Sequence, residues 1–551
     1  MKSRKIQSEQ LFLFPMKLTR IQRYLLSLLS GVLLVLSFPY TGSLTPLVFI
    51  AIVPLLLIEN NIYHQRYKAI KFFWHSYIAF FIYNIGTTWW ISNADLNGAI
   101  MAFVLNSLLM AIALTLFHIV RKRLGGKIGI LSFFSIWIGF EYLHHNWELS
   151  WPWLTLGNVF SIRPSWIQWY EFTGVLGGSL WILGVNFILY RLISTYFSKT
   201  ESGRLSPKRI ALPLIVLLMP LSMSLWMYSI NQDQGLGYEV VVTQPNIDPY
   251  QKFSSIGPAQ QLHRIADITE QVITRRTKLV IAPETAIPVS FDEAIINYDP
   301  GYEILKERML NWHSAQLLIG ASTERRFNHK RSRATRKDPY GGEDYVEYYN
   351  SSLLMSPDLK PEITHKSKLV LGAEKVPFSH WLPFLENLSL DLGGTKGTLG
   401  VEHSPANMKT GYFPFTSSIC YESIYGEYTA QQTRLGSKAI FIITNDGWWG
   451  DTPGYKQHFS FARLRAIENR KSVARSANTG TSGFINQRGD VVKSSKWWTI
   501  DALKSEVFLN NNKTLYMRTG DLLGKIAFII SLVVIVYSFF KNIRSSDPKQ
   551  V

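Results

Sequence analysis

Hydrophobic positions are spread very unevenly along this chain. Seven long apolar runs precede residue 231, near 22–39, 44–60, 70–92, 98–120, 128–146, 172–192 and 209–230, and an eighth lies near 522–540. Each is about long enough to cross roughly 30 Å of hydrocarbon as a helix. The second run is the shortest, and Pro54 within it is tolerable where neighbouring helices satisfy the freed carbonyl. Between the last two runs the pattern changes, and residues 237–510 alternate short β-rich runs with stretches of helical spacing. Strands are predicted over 238–243, 278–282, 317–320, 351–355 and 439–444, the last apolar at nearly every position, as in a strand covered on both faces. Helices are predicted over 260–275, over 428–435 with Gly436 as its stop signal, and over 458–468. Repeated strand–helix units of this kind imply a layered α/β sandwich.

Three segments follow: residues 1–230 with seven transmembrane helices, 231–521 as one α/β domain, and 522–551 as an eighth transmembrane helix with a tail. The formal charge of +18 does not point to nucleic acid, because the basic residues flank the apolar runs instead of forming one face. On one side of the predicted membrane the short connections and both termini collect 21 lysines and arginines, while the connections 40–43, 93–97 and 147–171 hold only Arg163. That asymmetry predicts cytoplasmic termini and puts 231–521 on the outer face. The first run lacks a small-residue cleavage site and reads as an uncleaved anchor. Within the outer segment, 325–343 carries seven basic residues and ends in Pro339-Tyr340-Gly341-Gly342, which predicts a solvated, mobile loop. A contact with anionic lipid headgroups is its second reading.

The chain has a single cysteine, Cys420. Outside the cytoplasm a lone thiol cannot form an intramolecular disulfide, and its plainer reading is a small buried apolar side chain. Two other residues have matching contexts. Cys420 and Glu284 each follow a strand-like run, at the strand end where α/β sites open, and Lys366 lies in Thr364-His365-Lys366-Ser367. A thiol near its free pKa is mostly protonated and needs a base or a cation beside it. A buried Glu284 would have a raised pKa and could accept the thiol proton. Lys366 would lower the thiol pKa and stabilise a tetrahedral oxyanion. The surface defaults of a glutamate and a lysine stand against each of them alone. The spans show few buried ionisable groups of the kind that mark transport paths, Glu141 with His144 and His145 excepted.

Glu284, Lys366 and Cys420 stand in the order and contexts of the nitrilase superfamily. The chain also carries Gln244-Pro245-Asn246-Ile247, Tyr349-Asn350-Ser351, Ile419-Cys420-Tyr421-Glu422, Asn445-Asp446-Gly447-Trp448-Trp449-Gly450, Gln457-His458-Phe459 and Arg475-Ser476-Ala477-Asn478. Together with the flanking spans these are similar to the membrane-anchored apolipoprotein N-acyltransferases, over almost the whole length. The resemblance implies an α-β-β-α nitrilase-like sandwich inserted between seven transmembrane helices and one. It implies Glu284 as general base, Lys366 as oxyanion stabiliser and Cys420 as nucleophile. Glu374 and Glu422 match family carboxylates near the site, with structural hydrogen bonding as their alternative. Trp448 and Trp449 would line the acyl entrance, or be ordinary core aromatics, and Tyr421 and Asn246 are further supporting candidates. Where the family reads Leu-Val-Pro-Phe-Gly-Glu-x-Val-Pro, this chain reads Leu369-Val370-Leu371-Gly372-Ala373-Glu374-Lys375-Val376-Pro377, which predicts an altered loop.

The function implied is N-acylation of the N-terminal diacylglyceryl-cysteine of bacterial apolipoproteins. The acyl donor would be a phospholipid, phosphatidylethanolamine foremost, and the intermediate a cysteine thioester. It implies a monomer in the bacterial inner membrane with its catalytic domain on the periplasmic side. No metal and no organic cofactor is expected, since the sequence shows neither metal-ligand spacing nor a glycine-rich phosphate loop. Two rival readings share the same residues: an anchored nitrilase-type amidohydrolase, in which water resolves the thioester, and a non-catalytic membrane scaffold. The number of spans favours the transferase over the first, and retention of the trio argues against the second.

Overall fold

The computed structural model describes residues 17–196, 207–339, 344–379, 381 and 397–541. Helices form at all eight predicted runs: α1 (Arg20–Ser37), a 3₁₀ turn (Thr45–Phe49) leading into α2 (Val53–His64), α3 (Ala69–Thr88), α4 (Leu96–Leu124), α5 (Gly126–Asn146), α6 (Val175–Tyr196), α7 (Pro207–Ile230) and, after the sandwich, the last helix Leu522–Phe540. Among the described residues seven of these are long and apolar enough to cross a membrane. The 20-residue α3 falls short of that apolarity because it carries His75, Ser76, Asn84, Thr87 and Thr88, all turned inward. Their partners lie in the bundle: His75 meets Ser27, and Asn84 meets Asn106. The chain is therefore a multi-pass membrane protein, with more buried ionisable groups than the sequence suggested. Glu59 is fully buried and meets the Arg121 guanidinium with one carboxylate oxygen and His118 Nδ1 with the other.

Local signals explain the helix ends. Thr19 caps α1 in a reciprocal pair with Gln22, and Phe38 leaves it in extended conformation because Pro39 follows. The last helix lies against α5 so closely that a Cβ on Gly139 would stand 2.9 Å from the Cα of Phe528.

The inserted sandwich has two sheets. The first has the order β14-β1-β2-β4-β6-β5, with β3 paired to β4 and β7 to β6. Its strands are β1 (Leu236–Gln244), β2 (Thr277–Ile281), β3 (Ile287–Asp292), β4 (Gln316–Phe327), β5 (Arg336–Lys337), β6 (Tyr345–Ser356), β7 (Leu359–His365) and β14 (Asp501–Leu509). The second runs β13-β12-β11-β10-β9-β8, built from β8 (Met408–Lys409), β9 (Pro414–Ile419), β10 (Ile440–Thr444), β11 (Val473–Ala477), β12 (Gly483–Ile485) and β13 (Val491–Ser494). β10 lies parallel between β9 and β11 and is buried along its length, as its apolar run predicts. Val240, Val242, Leu279, Ile281 and Leu318 of the first sheet meet Phe415, Ile419, Phe441 and Ile443 of the second in a shared core.

Helices α8 (Pro258–Glu270) and α9 (Pro300–Met309) cover the outer face of the first sheet. Helices α10 (Gly426–Arg434) and α11 (Pro453–Asn469) follow β9 and β10, and α11 covers the second sheet through Phe459, Ala462 and Ala466. The last helix is α12. This is the expected α-β-β-α order. Tyr421, Tyr425, Tyr428, Phe461, Leu464 and Ile467 also belong to the bundle's own core, so the helical layer beside the second sheet is the floor on which the sandwich sits.

The charged stretch 325–343 departs from its expectation as a loop. Arg325 and Arg326 lie on β4, which runs on to Phe327, and Arg336 and Lys337 pair with β6. Carboxylates set opposite make a ladder there possible: Glu293 for Arg325, and Glu324 with Asp338 for Arg326. Residues 340–343 lie outside the described residues.

Candidate active site

Strand ends bring the candidate trio together. Glu284 follows β2 after Ala282-Pro283, Lys366 directly follows β7, and Cys420 directly follows β9. The first sheet thus supplies the two charges and the second sheet the thiol. Glu284 lies close over β4 because residue 320 is a glycine: a Cβ there would stand 2.5 Å from the Glu284 Cα. The Gly320 N–H donates to the Pro283 carbonyl at 3.0 Å. Cys420 adopts φ 52°, a left-handed turn that costs a non-glycine residue roughly 1–2 kcal/mol and persists where its surroundings over-determine it.

All three side chains are buried. Lys366 Nζ donates to Glu284 Oε1 at 3.1 Å and to Glu374 Oε1 at 2.8 Å. Asn350 Nδ2 bridges the same two carboxylates at 2.8 and 2.9 Å. The backbone N–H of Asn445 donates to Glu284 Oε2 at 3.1 Å. Behind Glu284, the buried Lys252 donates to the Glu284 carbonyl at 3.0 Å and to Thr285 Oγ1 at 2.6 Å. The atypical loop after Lys366 closes as a tight turn with Gly372 at φ 85°, which returns Glu374 to Lys366. Glu422 lies beneath, accepting from the backbone N–H groups of Ser367 at 2.5 Å, Lys368 at 3.3 Å and Ile419 at 2.8 Å. It clamps the lysine loop to the strand that carries Cys420.

The electrostatics differ from the sequence expectation in one respect. Burial alone would raise the Glu284 carboxyl, but the Lys366 ammonium, then the Asn350 amide and Lys252, outweigh it and hold the carboxyl below the usual range. Cys420 moves the opposite way: burial and then the Glu284 carboxylate push the thiol far up, against the downward pull of Lys366. Lys366 itself is kept well above its usual value, because Glu284 and Glu374 more than offset its burial. These directions favour a protonated thiol near a carboxylate and an ammonium. Burial also pulls Lys252 down to about 7 and pushes Glu422 up to about 7.

A second buried network, which sequence reasoning did not assign, lies on the other side of Cys420. His458 Nδ1 is 2.9 Å from Asp446 Oδ1, and Arg475 donates to Asp446 Oδ2 at 2.6 Å. Cys420, Asp446 and His458 offer donor atoms within 4.8 Å of one another, the metal-like spacing that the sequence did not reveal. The Arg475 guanidinium, also 2.9 Å from His458 Nδ1, already supplies the positive charge there, so these donors fit an ion-pair network better than a metal centre.

The trio opens into a cavity of about 530 Å³. Its lining joins the sandwich to the bundle: Tyr421, Trp448 and Trp449 on one side, and Trp90, Met101, Leu105 and Leu109 on the other. Trp449 packs between Trp90 and Trp153, with ring centres 4.7 and 5.7 Å away. Leu371, Gly372 and Ala373 of the atypical turn also line it. Asn246 does not line the cavity; its backbone N–H pairs with Asn478, whose amide holds Asn445 at 3.1 Å. The bundle's share of the cavity was missed because a helix periodicity shows which face is apolar and not what it faces.

Residues 30–188 match the apolipoprotein N-acyltransferase N-terminal domain, and residues 242–512 match the carbon-nitrogen hydrolase family. A protein of Chlorobaculum tepidum named apolipoprotein N-acyltransferase is 31% identical to this chain, over 93% of the chain and 96% of its own length. The chain belongs to the apolipoprotein N-acyltransferase family. A second relative of the same name, from Geobacter metallireducens, is 29% identical over 94% of this chain and 95% of its own. The family match spans bundle and sandwich alike, so the cavity between them belongs to an acyltransferase.

Proposed function

We propose that the protein moves an acyl chain from a membrane phospholipid, phosphatidylethanolamine foremost, to the α-amine of the diacylglyceryl-cysteine that begins a bacterial apolipoprotein. The observation that carries this reading is a buried thiol, carboxylate and ammonium at the head of an apolar cavity floored by membrane helices. In the first half-reaction the Cys420 proton passes to Glu284 as sulfur attacks the ester carbonyl. The oxyanion forms beside Lys366, the ester C–O bond breaks, and Glu284 returns the proton to the departing lysophospholipid. In the second, the amine attacks the thioester, Glu284 takes its proton, the C–S bond breaks, and the proton goes back to sulfur. Asn350 and Glu374 hold the charged pair, and Glu422 holds Lys366 in register with Cys420. The 21-to-one distribution of basic residues supports cytoplasmic termini and a sandwich on the periplasmic side of the inner membrane.

Mass spectrometry of the purified protein mixed with phosphatidylethanolamine tests this. The expected result is an acyl adduct on Cys420 that disappears when a diacylated lipopeptide with a free amine is added, with an amide as product. An adduct discharged equally fast by water would favour the amidohydrolase, and absence of any adduct would overturn the thioester.

A further inference from the structure

Two consecutive residues of α11 face in different directions, as neighbours on a helix must. Gln457 is fully buried and reaches the bundle. Its Oε1 accepts from Trp153 Nε1 at 2.8 Å, and its Nε2 donates to the carbonyls of Pro39 at 3.0 Å and Thr87 at 3.3 Å. One side chain thus gathers three separate pieces of the bundle. His458, 1% exposed, turns to the nucleophile. Its Nε2 lies 3.2 Å from the Cys420 carbonyl oxygen and 3.2 Å from Ser423 Oγ, and that hydroxyl donates to the same carbonyl at 2.7 Å. The Trp153 and Trp449 rings pack on the imidazole, 5.8 and 5.7 Å away, and Asp446 with Arg475 fixes its other nitrogen.

Cys420 stands one residue beyond the last pair of the β9–β10 ladder, Ile419 with Ile443. Its left-handed backbone is therefore held by contacts outside the sheet. We infer that Gln457 and His458 are positioning residues that make the aim of the Cys420 thiol depend on how the sandwich is seated on the bundle. His458 fixes the peptide plane that sets the thiol direction, and Gln457 fixes the helix that carries His458 to Pro39, Thr87 and Trp153.

This inference rests on Cys420 being the nucleophile, and the test separates the two claims. Full-length protein in phosphatidylethanolamine vesicles is compared as wild type, H458A, H458Q, Q457L and W153F. The readouts are single-turnover thioester formation, KM for the phospholipid, and Tm. H458A should lower the rate of thioester formation by on the order of 10²-fold, the penalty of a misplaced reacting atom, with KM unchanged. H458Q, which keeps a donor near the carbonyl, should regain part of it. Q457L and W153F should each give a smaller fall, and the double variant should fall less than the product of the two, because both remove the Trp153–Gln457 hydrogen bond. A wild-type rate in H458A, or losses in KM alone, would overturn the inference. If H458A does not fold, Q457L decides, since leucine is close to glutamine in size and lacks both the amide donor and the acceptor: an unchanged rate there overturns it. A wild type that forms no thioester would overturn the reading of Cys420 instead.

Discussion

The two sheets of the sandwich stand in different relations to the membrane helices. The first sheet, which presents Glu284 and Lys366, is covered by α8 and α9 in a core that, among the described residues, contains none from the bundle. Its loops touch the bundle through polar contacts, Arg333 and Lys375 on Glu148 at 3.5 and 3.2 Å and Tyr250 on the Asn93 carbonyl at 3.0 Å, and through one partly buried apolar side chain, Val370. The second sheet, which presents Cys420, is followed by helices whose apolar residues are part of the bundle's core. The charge-bearing sheet shares its inner core with the thiol-bearing sheet but meets the bundle mainly through its loops, whereas the thiol-bearing half is built into the bundle's core. A surface ion pair contributes about 0–1 kcal/mol, whereas a fully buried large apolar side chain contributes about 1.5–3 kcal/mol. Cys420 and the cavity therefore share one rigid base, and Glu284 and Lys366 are brought to it by the other sheet.

The most severe way to probe this division is Cys420→Ser. The swap is nearly isosteric and should keep the fold, yet it should abolish acyl transfer, because an alkoxide is far harder to form than a thiolate. Retained transfer in that variant would break the comparison at its centre. Next comes the charge-bearing half. Glu284→Gln keeps shape and removes the base, so thioester formation should fall by on the order of 10²–10⁴. Lys366→Met should lose a comparable factor through the oxyanion. It should also move two pH profiles upward, measured as Cys420 alkylation and as the acidic limb of acylation. The sign follows from the electrostatics: Lys366 lowers both the thiol and the Glu284 carboxyl, so its removal raises both. Unchanged profiles would make Lys366 a spectator.

A smaller effect should follow from filling the bundle side of the cavity. Leu105→Trp should slow acylation by long-chain phospholipids by on the order of tenfold, about the burial of two methylenes, and leave alkylation by a small reagent untouched. Equal loss with short-chain donors would mean that the chain lies elsewhere. The mildest change is Glu148→Ala, which frees Arg333 and Lys375 and should cost about 1 kcal/mol or less in thermal unfolding, with activity within a few-fold. A large loss there would show that the first half is bound more tightly than its contacts imply.

Much of this was legible in the chain. Period-2 and period-3.6 patterns located the strands and helices because each element buries one face, and the fully apolar run at 439–444 marked the central strand β10. The trio stood out because strand ends and a lone cysteine are local features. Less legible was whatever depends on a partner distant in sequence. Arg325 and Arg326 read as loop residues until Glu293 and Asp338 are placed opposite them. Burial of Glu284 suggested a raised pKa, and only its simultaneous neighbours Lys366, Asn350 and Lys252 reverse the sign. The network of Asp446, His458 and Arg475 was present as motif residues without a role, since neither their spacing nor their type discloses that they meet behind the thiol.

The pairing of β1 with β14 bears on how the protein is made. Leu236 sits opposite Leu509 and Gln244 opposite Asp501, so the strand that enters the sandwich is paired along its length with the strand that leaves it. More than 250 residues separate the partners, and contacts so remote in sequence close late in folding. By the time β14 emerges, α1 to α7 have long been synthesised, and the first sheet still lacks its edge. The sandwich can finish folding only after almost its whole length has left the ribosome and reached the side of the membrane where it will work. Until then β1 is an open edge, the kind that pairs with foreign strands, and α12, separated from Leu509 by only 12 residues, arrives almost together with the strand that closes it.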